Sequence, residues 1–144
     1  MQIKFIFKVI KGFSKKDLKD LNELMLQWSK KRRKISPEYF KKLIKKSHIL
    51  TLSDGSRIIG TVTLVEINKL SGLKGSIEHL IIDEKYRGRG LGERLMKYAI
   101  SHARKLEIET LFLTAEPDRL IANNLYKKMG FKIKKTNFYQ LKLK

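Results

Sequence analysis

Ile77-Glu78-His79-Leu80-Ile81-Ile82-Asp83-Glu84-Lys85-Tyr86-Arg87-Gly88-Arg89-Gly90-Leu91-Gly92 is the stretch on which the fold of this chain turns. Its first half is an apolar, strand-like run. Its second half is a glycine turn that leads directly into the amphipathic helical pattern Glu93-Arg94-Leu95-Met96-Lys97-Tyr98-Ala99-Ile100. Glycines at a strand-to-helix junction let the backbone approach a ligand closely and aim several N–H groups at one point. The positive end of the helix dipole adds to them there. The guest such a turn suits is an anion, above all a phosphate.

Glycine spacing separates the known phosphate loops. A P-loop needs Gly-Lys-Ser or Gly-Lys-Thr where this chain has Leu91-Gly92-Glu93, and the dinucleotide fingerprint Gly-x-Gly-x-x-Gly does not fit the step Gly88-x-Gly90-x-Gly92. Arg87-Gly88-Arg89-Gly90-Leu91-Gly92 instead resembles motif A of the GNAT superfamily of acetyl-CoA-dependent N-acetyltransferases, Arg/Gln-x-x-Gly-x-Gly/Ala. Downstream, Leu125-Tyr126-Lys127-Lys128-Met129-Gly130-Phe131 resembles the Leu-Tyr-x-x-x-Gly-Phe helix with which that family closes its acetyl-CoA site. The motifs stand in the expected order with the strand-like Leu111-Phe112-Leu113-Thr114 between them, and the resemblance spans residues 76–144.

Composition bounds the rest. At 144 residues with 42% hydrophobic content, the chain is expected to be a single domain with an ordinary core, 1–144. It has no cysteine, so a thiol nucleophile, a disulfide and a cysteine metal site are all excluded. No apolar window approaches the ~20 residues of a membrane helix, and the N-terminal run has lysines inside it and no cleavage site, so a cytoplasmic protein without membrane association is expected. The formal charge of +19 fits phosphate-rich partners such as RNA or the nucleotide end of coenzyme A. Its lysines are nevertheless spread over Lys15-Lys16, Lys30-Lys31, Lys41-Lys42, Lys45-Lys46, Lys127-Lys128 and Lys134-Lys135, the pattern of a solvated surface more than of a dedicated nucleic-acid face.

Along the chain, Ile3, Phe5, Phe7 and Val9 alternate as a first strand. Ser14 can cap a helix bearing Leu18, Leu21, Leu24, Met25 and Trp28, and Ser36-Pro37 can open a second, short one. Residues 48–52 and 58–67, joined at Asp54-Gly55, read as a hairpin. After them come a strand to Ile82, a helix over 90–106, a strand over 110–114, a helix over 119–129, and strands near 131–134 and 138–143. The order β-α-α-β-β-β-α-β-α-β-β is also the one the GNAT resemblance implies: an α/β (α+β) fold with a mixed twisted sheet of six to seven strands flanked by about four helices.

The resemblance implies acetyl-CoA as co-substrate, no metal, and transfer to a primary amine on a small molecule or peptide. With no nucleophilic cysteine, the transfer would be direct, in a ternary complex. The diphosphate would be held by backbone N–H groups of Arg87, Gly88, Arg89, Gly90, Leu91 and Gly92, with Arg87 or Arg89 adding charge. The pantetheine arm would pair with Leu80, Ile81 and Ile82, where the family's fourth and fifth strands splay. Strand alternation sets Glu78 on the face of Leu80 and Ile82, where partial burial would raise its pKa toward that of a general base, while His79 points to the opposite face as a structural residue. Tyr126 occupies the position of the family's thiolate-protonating tyrosine. Because a thiol near ~8.5 is more acidic than a phenol near ~10, hydrogen-bond stabilisation of the thiolate is the safer description of its role. Many relatives carry asparagine seven residues before that tyrosine, where this chain has Arg119; Asn123, on the same side of the helix as Tyr126, is the candidate to contact pantetheine instead. Glu66 and Glu116 are further carboxylates that could face an acceptor.

Other readings stay open at this level. One is a toxin-type member that acetylates aminoacyl-tRNA; another is a non-catalytic acyl-CoA-binding or nucleic-acid-binding module of the same fold. The resemblance also allows a homodimer formed through the final strands.

Overall fold

The computed structural model describes residues 2–144. Two compact units divide the chain, one ending at Thr114 and the other Ala115–Lys144. The first contains β1 (Ile6–Val9), α1 (Lys15–Trp28), α2 (Pro37–Lys46), β2 (His48–Ser53), β3 (Ile58–Lys69), β4 (Gly72–Ile82), a 3-10 turn (Glu84–Tyr86), α3 (Leu91–Lys105) and β5 (Thr110–Phe112). The strands lie in sequence order in one mixed sheet, antiparallel from β1 to β4 and parallel between β4 and β5.

Local chemistry accounts for the element boundaries. Ser14 Oγ accepts the Asp17 N–H at 3.2 Å and Ser36 Oγ accepts the Tyr39 N–H at 3.1 Å, so both expected serine caps form, the second with Pro37 in the first turn. Asp54 Oδ1 accepts the N–H groups of Ser56 and Arg57, and Gly55 supplies the positive φ of 100° that closes the β2–β3 hairpin.

Register assigns the two faces of the sheet. Ile49, Thr51, Thr61, Thr63, Glu78 and Ile81 share one face through the pairs Ile49↔Thr63, Thr51↔Thr61, Thr63↔Glu78 and Thr61↔Ile81. There Ile49 and Ile81 join Leu18, Leu21, Leu24, Met25 and Phe40 of α1 and α2 in one apolar cluster. Phe7, Leu50, Leu52, Val62, Leu64 and Ile77 occupy the other face, where Phe7 meets Tyr98 of α3 with ring centroids 5.5 Å apart. Leu95, Met96, Ala99 and Ala103 bury the inner side of α3. At the end of this layer His48 Nε2 lies 2.7 Å from Glu66 Oε2, and His102 Nε2 lies 3.3 Å from His48 Nδ1.

One irregularity corrects the sequence reading. Thr61 pairs with Ile81 and Thr63 with Glu78, so the single residue Val62 faces two, His79 and Leu80. This is a β-bulge, and His79 enters it with φ of 52°. The extra residue breaks the alternation: Glu78 shares its face with Ile81, not with Leu80 and Ile82.

The second unit holds α4 (Leu120–Lys128) followed by a turn at Gly130, φ 99°, with Phe131 packed edge-on against Tyr126 at 6.1 Å. Among the described residues the sheet has five strands, not six or seven, and the strands expected near 131–134 and 138–143 do not form. Their alternation of apolar residues with lysine gives strand propensity, but propensity becomes a strand only with a ladder partner. Phe138, Leu141 and Leu143 stay exposed. The fifth strand likewise stops at Phe112 instead of Thr114, because its pairing with β4 ends there.

Candidate active site

The glycine turn is built as a phosphate cradle would be. Gly88 and Gly90 adopt φ of 78° and 73°, a region costly for any side chain, and Gly90 ends the loop as the N-cap of α3. No side chain caps that helix, so its first turn presents N–H groups without the usual competitor. A Cβ at Gly88 or Gly90 would meet no atom of the chain within 4 Å; the turn faces open space.

A hydrogen-bonded network anchors this turn. Asp83, 3% exposed at the end of β4, accepts from Arg57 Nη1 at 2.8 Å and Gln27 Nε2 at 3.4 Å through Oδ2, and from the Lys85 N–H at 2.9 Å through Oδ1. Gln27 Oε1 in turn accepts the Glu84 N–H. Tyr86 O–H donates to Asp54 Oδ2 at 2.7 Å, and the Arg89 guanidinium lies over the Tyr86 ring at 5.1 Å. Burial alone would raise both aspartates, yet the N–H, hydroxyl and guanidinium donors around them hold both carboxyls below their ordinary range. Sequence reasoning missed Asp83, Arg57, Asp54 and Gln27, whose contacts join elements far apart in the chain. The available signal was local: an aspartate just ahead of Glu84-Lys85-Tyr86 stands in capping position.

Next to the turn, one edge of β4 is open. The β4–β5 ladder consists of Lys74↔Thr110, Gly75↔Leu111 and Ser76↔Phe112, and it ends there. Beyond the bulge, the Asp83 N–H donates to Ile59 O of β3, so alternation turns the backbone of Ile82 to the opposite, unpaired side; Arg87 Nε reaches the Ile82 carbonyl there at 2.9 Å. Ile81, in register with Thr61, directs its peptide groups to β3 instead.

Glu78 and His79 lie at the bulge. Glu78 is exposed, which corrects the expectation of partial burial. The His79 ring meets Trp28 of α1 edge-on at 4.8 Å, and its Nε2 is 3.4 Å from Arg32 Nη1, so it reaches the α1 side of the sheet and not the side opposite Glu78. Arg32 also lies over the Trp28 ring at 5.2 Å. Burial and the Arg32 charge both press the His79 pKa below its ordinary value, the Glu78 charge opposing them, so the neutral ring can accept from Arg32.

In the second unit Tyr126 is half-buried, and burial raises its phenol above the ordinary value against a smaller opposing effect of Arg119. Asn123 Nδ2 donates to the carbonyls of Glu116 and Arg119 at 2.9 and 2.8 Å, which leaves Oδ1 as its free group for a ligand. Glu116 is exposed; Glu66 is engaged by His48. No cluster of metal-binding side chains and no helix long and apolar enough to cross a membrane occurs among the described residues.

A glycine turn at a strand-to-helix junction, beside a bulged strand whose edge opens, defines an α/β fold with a ligand cradle at the end of β4. The family model described as "Acetyltransferase (GNAT) family" matches residues 17–131, and the chain belongs to that family. It is similar to an L-methionine sulfoximine/L-methionine sulfone acetyltransferase of Pseudomonas aeruginosa, 26% identical over 87 residues, covering 59% of this chain and 51% of that one. It also resembles a spermine/spermidine N(1)-acetyltransferase of Bacillus subtilis, 32% identical over 56 residues, covering 38% of this chain and 37% of the relative. The chain thus spans about half the length of the former and less of the latter. Among solved structures, a putative acetyltransferase from Agrobacterium tumefaciens superposes with a TM-score of 0.84 at 20% identity, over 95% of this chain and 99% of that one. An aminoglycoside acetyltransferase from an uncultured soil metagenomic sample, in complex with sisomicin, superposes at 0.79 with 16% identity, over 96% and 97%. At these identities the structural likeness shows the fold.

Proposed function

We propose that the chain is an acetyl-CoA-dependent N-acetyltransferase that moves an acetyl group to a primary amine by direct transfer in a ternary complex, within a single domain. The observation that carries this reading is the uncapped first turn of α3 behind left-handed Gly88 and Gly90, adjoining the unpaired edge of β4 at Ile82. Acetyl-CoA supplies the activated thioester. The chain supplies N–H donors from Arg87 to Gly92 for the diphosphate, with Arg89 fixed over Tyr86 beside them. Leu80 and Ile82 offer backbone to the pantetheine arm, and a donor there aimed at the carbonyl oxygen contributes on the order of 3 kcal/mol to the transition state; Ile81, turned to β3, contributes packing.

Glu78, exposed beside the bulge, takes the proton that the acceptor ammonium loses, directly or through a water. The amine nitrogen then bonds to the carbonyl carbon, the C–S bond breaks with its electron pair leaving on sulfur, and the second proton that the nitrogen sheds as the amide forms passes through water to that sulfur or to solvent. Tyr126, its phenol raised by burial, holds its proton and donates a hydrogen bond to that sulfur. Asn123 Oδ1 accepts from the pantetheine amide.

Thiol release from acetyl-CoA, followed with a panel of amines, tests the proposal. Turnover that depends on an amine supports it; coenzyme binding with no acceptor-dependent release by any amine overturns it. Glu78→Gln is expected to lower kcat, and Tyr126→Phe to lower kcat with little change in the KM for acetyl-CoA.

A further inference from the structure

Between α1 and α2 the chain reads Lys30-Lys31-Arg32-Arg33-Lys34, five consecutive cations that are all exposed. Ion pairs form at Lys8, Lys16, His48, Arg57, Lys74 and Lys97, and none among the described residues involves this run. A strip of uncompensated like charge on a short connection repels itself, so its presence has to be offset elsewhere. It is not a loosely solvated run either, because Arg32 is tied down: its guanidinium lies 5.2 Å over Trp28 and 3.4 Å from His79 Nε2. That contact fixes the middle of the strip against the bulge of β4, one residue from Glu78.

Glu78, the proposed base, therefore has Arg32 held at the residue that follows it in β4, and four more exposed cations flank Arg32 in the sequence. For a polycationic acceptor this arrangement is repulsive. For an amine that carries its own anionic group, it is complementary: the ammonium goes to Glu78 while a carboxylate or phosphate on the same molecule meets the planar donors of Arg32 and the neighbouring lysines. We infer that the acceptor is an anion-bearing amine, with Arg32 as the residue that sets this specificity. This inference rests on the acetyltransferase reading for its ammonium end, while its anionic end stands on Arg32, Trp28 and His79 alone.

The test uses matched acceptors that differ only in charge: phenylalanine against phenethylamine for a carboxylate, phosphoethanolamine against ethanolamine for a phosphate, and spermidine as the polycation. The anionic member of a pair is expected to show kcat/KM roughly tenfold higher, the scale of one charge-assisted hydrogen bond, mainly through KM, and to lose that advantage as salt rises. Whichever pair shows the larger ratio identifies the anion. Arg32→Gln should collapse the ratio, while Lys19→Gln, which removes an exposed charge on α1, should not. Equal rates within both pairs, a preference for spermidine, or an unchanged ratio in Arg32→Gln would overturn the inference. Trp28 is the sole tryptophan, so its fluorescence reports occupancy without turnover. If no amine is acetylated, the acetyltransferase reading fails, yet a Trp28 response to phosphoethanolamine and not to ethanolamine, absent in Arg32→Gln, still upholds the anion site. No response to any anionic amine refutes it.

Discussion

Replacing Asp83 with alanine should uncouple the glycine turn from the sheet. Asp83 is 3% exposed and accepts three hydrogen bonds, from the Arg57 guanidinium, the Gln27 amide and the Lys85 N–H that starts the 3-10 turn. Loss of a helix-end cap costs ~1 kcal/mol, and a hydrogen bond to a charged group contributes ~1.5–3 kcal/mol. Removing one partner of a fully buried ion pair costs about 3–5 kcal/mol. The Arg57 side chain keeps 34% of its exposure, so water re-solvates it in the variant and the upper end is not reached. Asp83→Ala is therefore expected to lose about 2–4 kcal/mol, with a fall in Tm of around 10 °C. Asp83→Asn, which keeps an oxygen for the Lys85 N–H but loses the charge, should lose about half as much. Urea denaturation followed by circular dichroism measures the first quantity, and calorimetric titration with acetyl-CoA measures the effect on the turn, expected as a weaker Kd in the same rank order. An Asp83→Ala loss below ~0.5 kcal/mol, or equal losses in the two variants, would refute the anchoring role.

A Cβ on Gly90 would touch nothing in the chain, so Gly90→Ala should cost about 1–2 kcal/mol from its positive φ alone; a loss of acetyl-CoA affinity greater than that, by calorimetry, would show that the open space belongs to the ligand. Gly75→Val should cost about 1–3 kcal/mol, because a Cβ there already lies 3.0 Å from Leu111 and 3.2 Å from Ile108, and loosened β4–β5 pairing should appear as faster amide exchange at Gly75 and Leu111. His102 is held below its ordinary pKa by burial, then by His48, Lys11 and Lys105, with Glu66 opposing, and His79 is lowered as described. Their folded-state pKa values lie below the unfolded value near ~6.5, so the unfolded chain takes up protons first as pH falls; Tm should drop from pH 7 toward 5, and His102→Gln should make that slope shallower. At more acidic pH the depressed Asp54 and Asp83 contribute in the same direction: their stabilisation is present above the unfolded pKa near ~3.9 and is lost as pH falls through their folded values, a second decline that Asp83→Asn should reduce.

The features legible in the sequence were those carried by neighbours in the chain. Ser14 and Ser36 cap the helices they precede, Asp54-Gly55 closes the hairpin, and the Gly88–Gly90 turn runs into α3, because each depends on a few adjacent backbone angles and one side chain. What depended on a partner strand was not legible. The bulge at His79 and Leu80 exists only against Val62, and no run of residues 77–82 read alone reveals that the alternation slips there. The same limitation explains residues 131–134 and 138–143, whose pattern is right for strands and whose ladder is absent. The anchoring of the glycine turn by Arg57, Gln27 and Asp54 was hidden for this reason as well: it is a property of the β2–β3 hairpin and α1 meeting the end of β4, not of the loop's own residues.

The bulge costs free energy. A non-glycine residue with φ of 52° is disfavoured by about 1–2 kcal/mol, and nothing in the backbone of β4 compensates. The compensation lies in the side chain: the edge contact with Trp28 contributes roughly 0.5–1.5 kcal/mol, with the Arg32 contact added to it. Strain and contacts are close to balance, so the His79–Trp28–Arg32 cluster adds little net stability. Its effect is positional. By placing an extra residue in β4, the bulge moves Glu78 out of phase with Ile82, whose peptide group opens toward the edge proposed for pantetheine, and the same residue holds Arg32 at the end proposed for the acceptor. The donor and acceptor halves of the proposed reaction are thereby set by one local change in strand register, on opposite sides of His79.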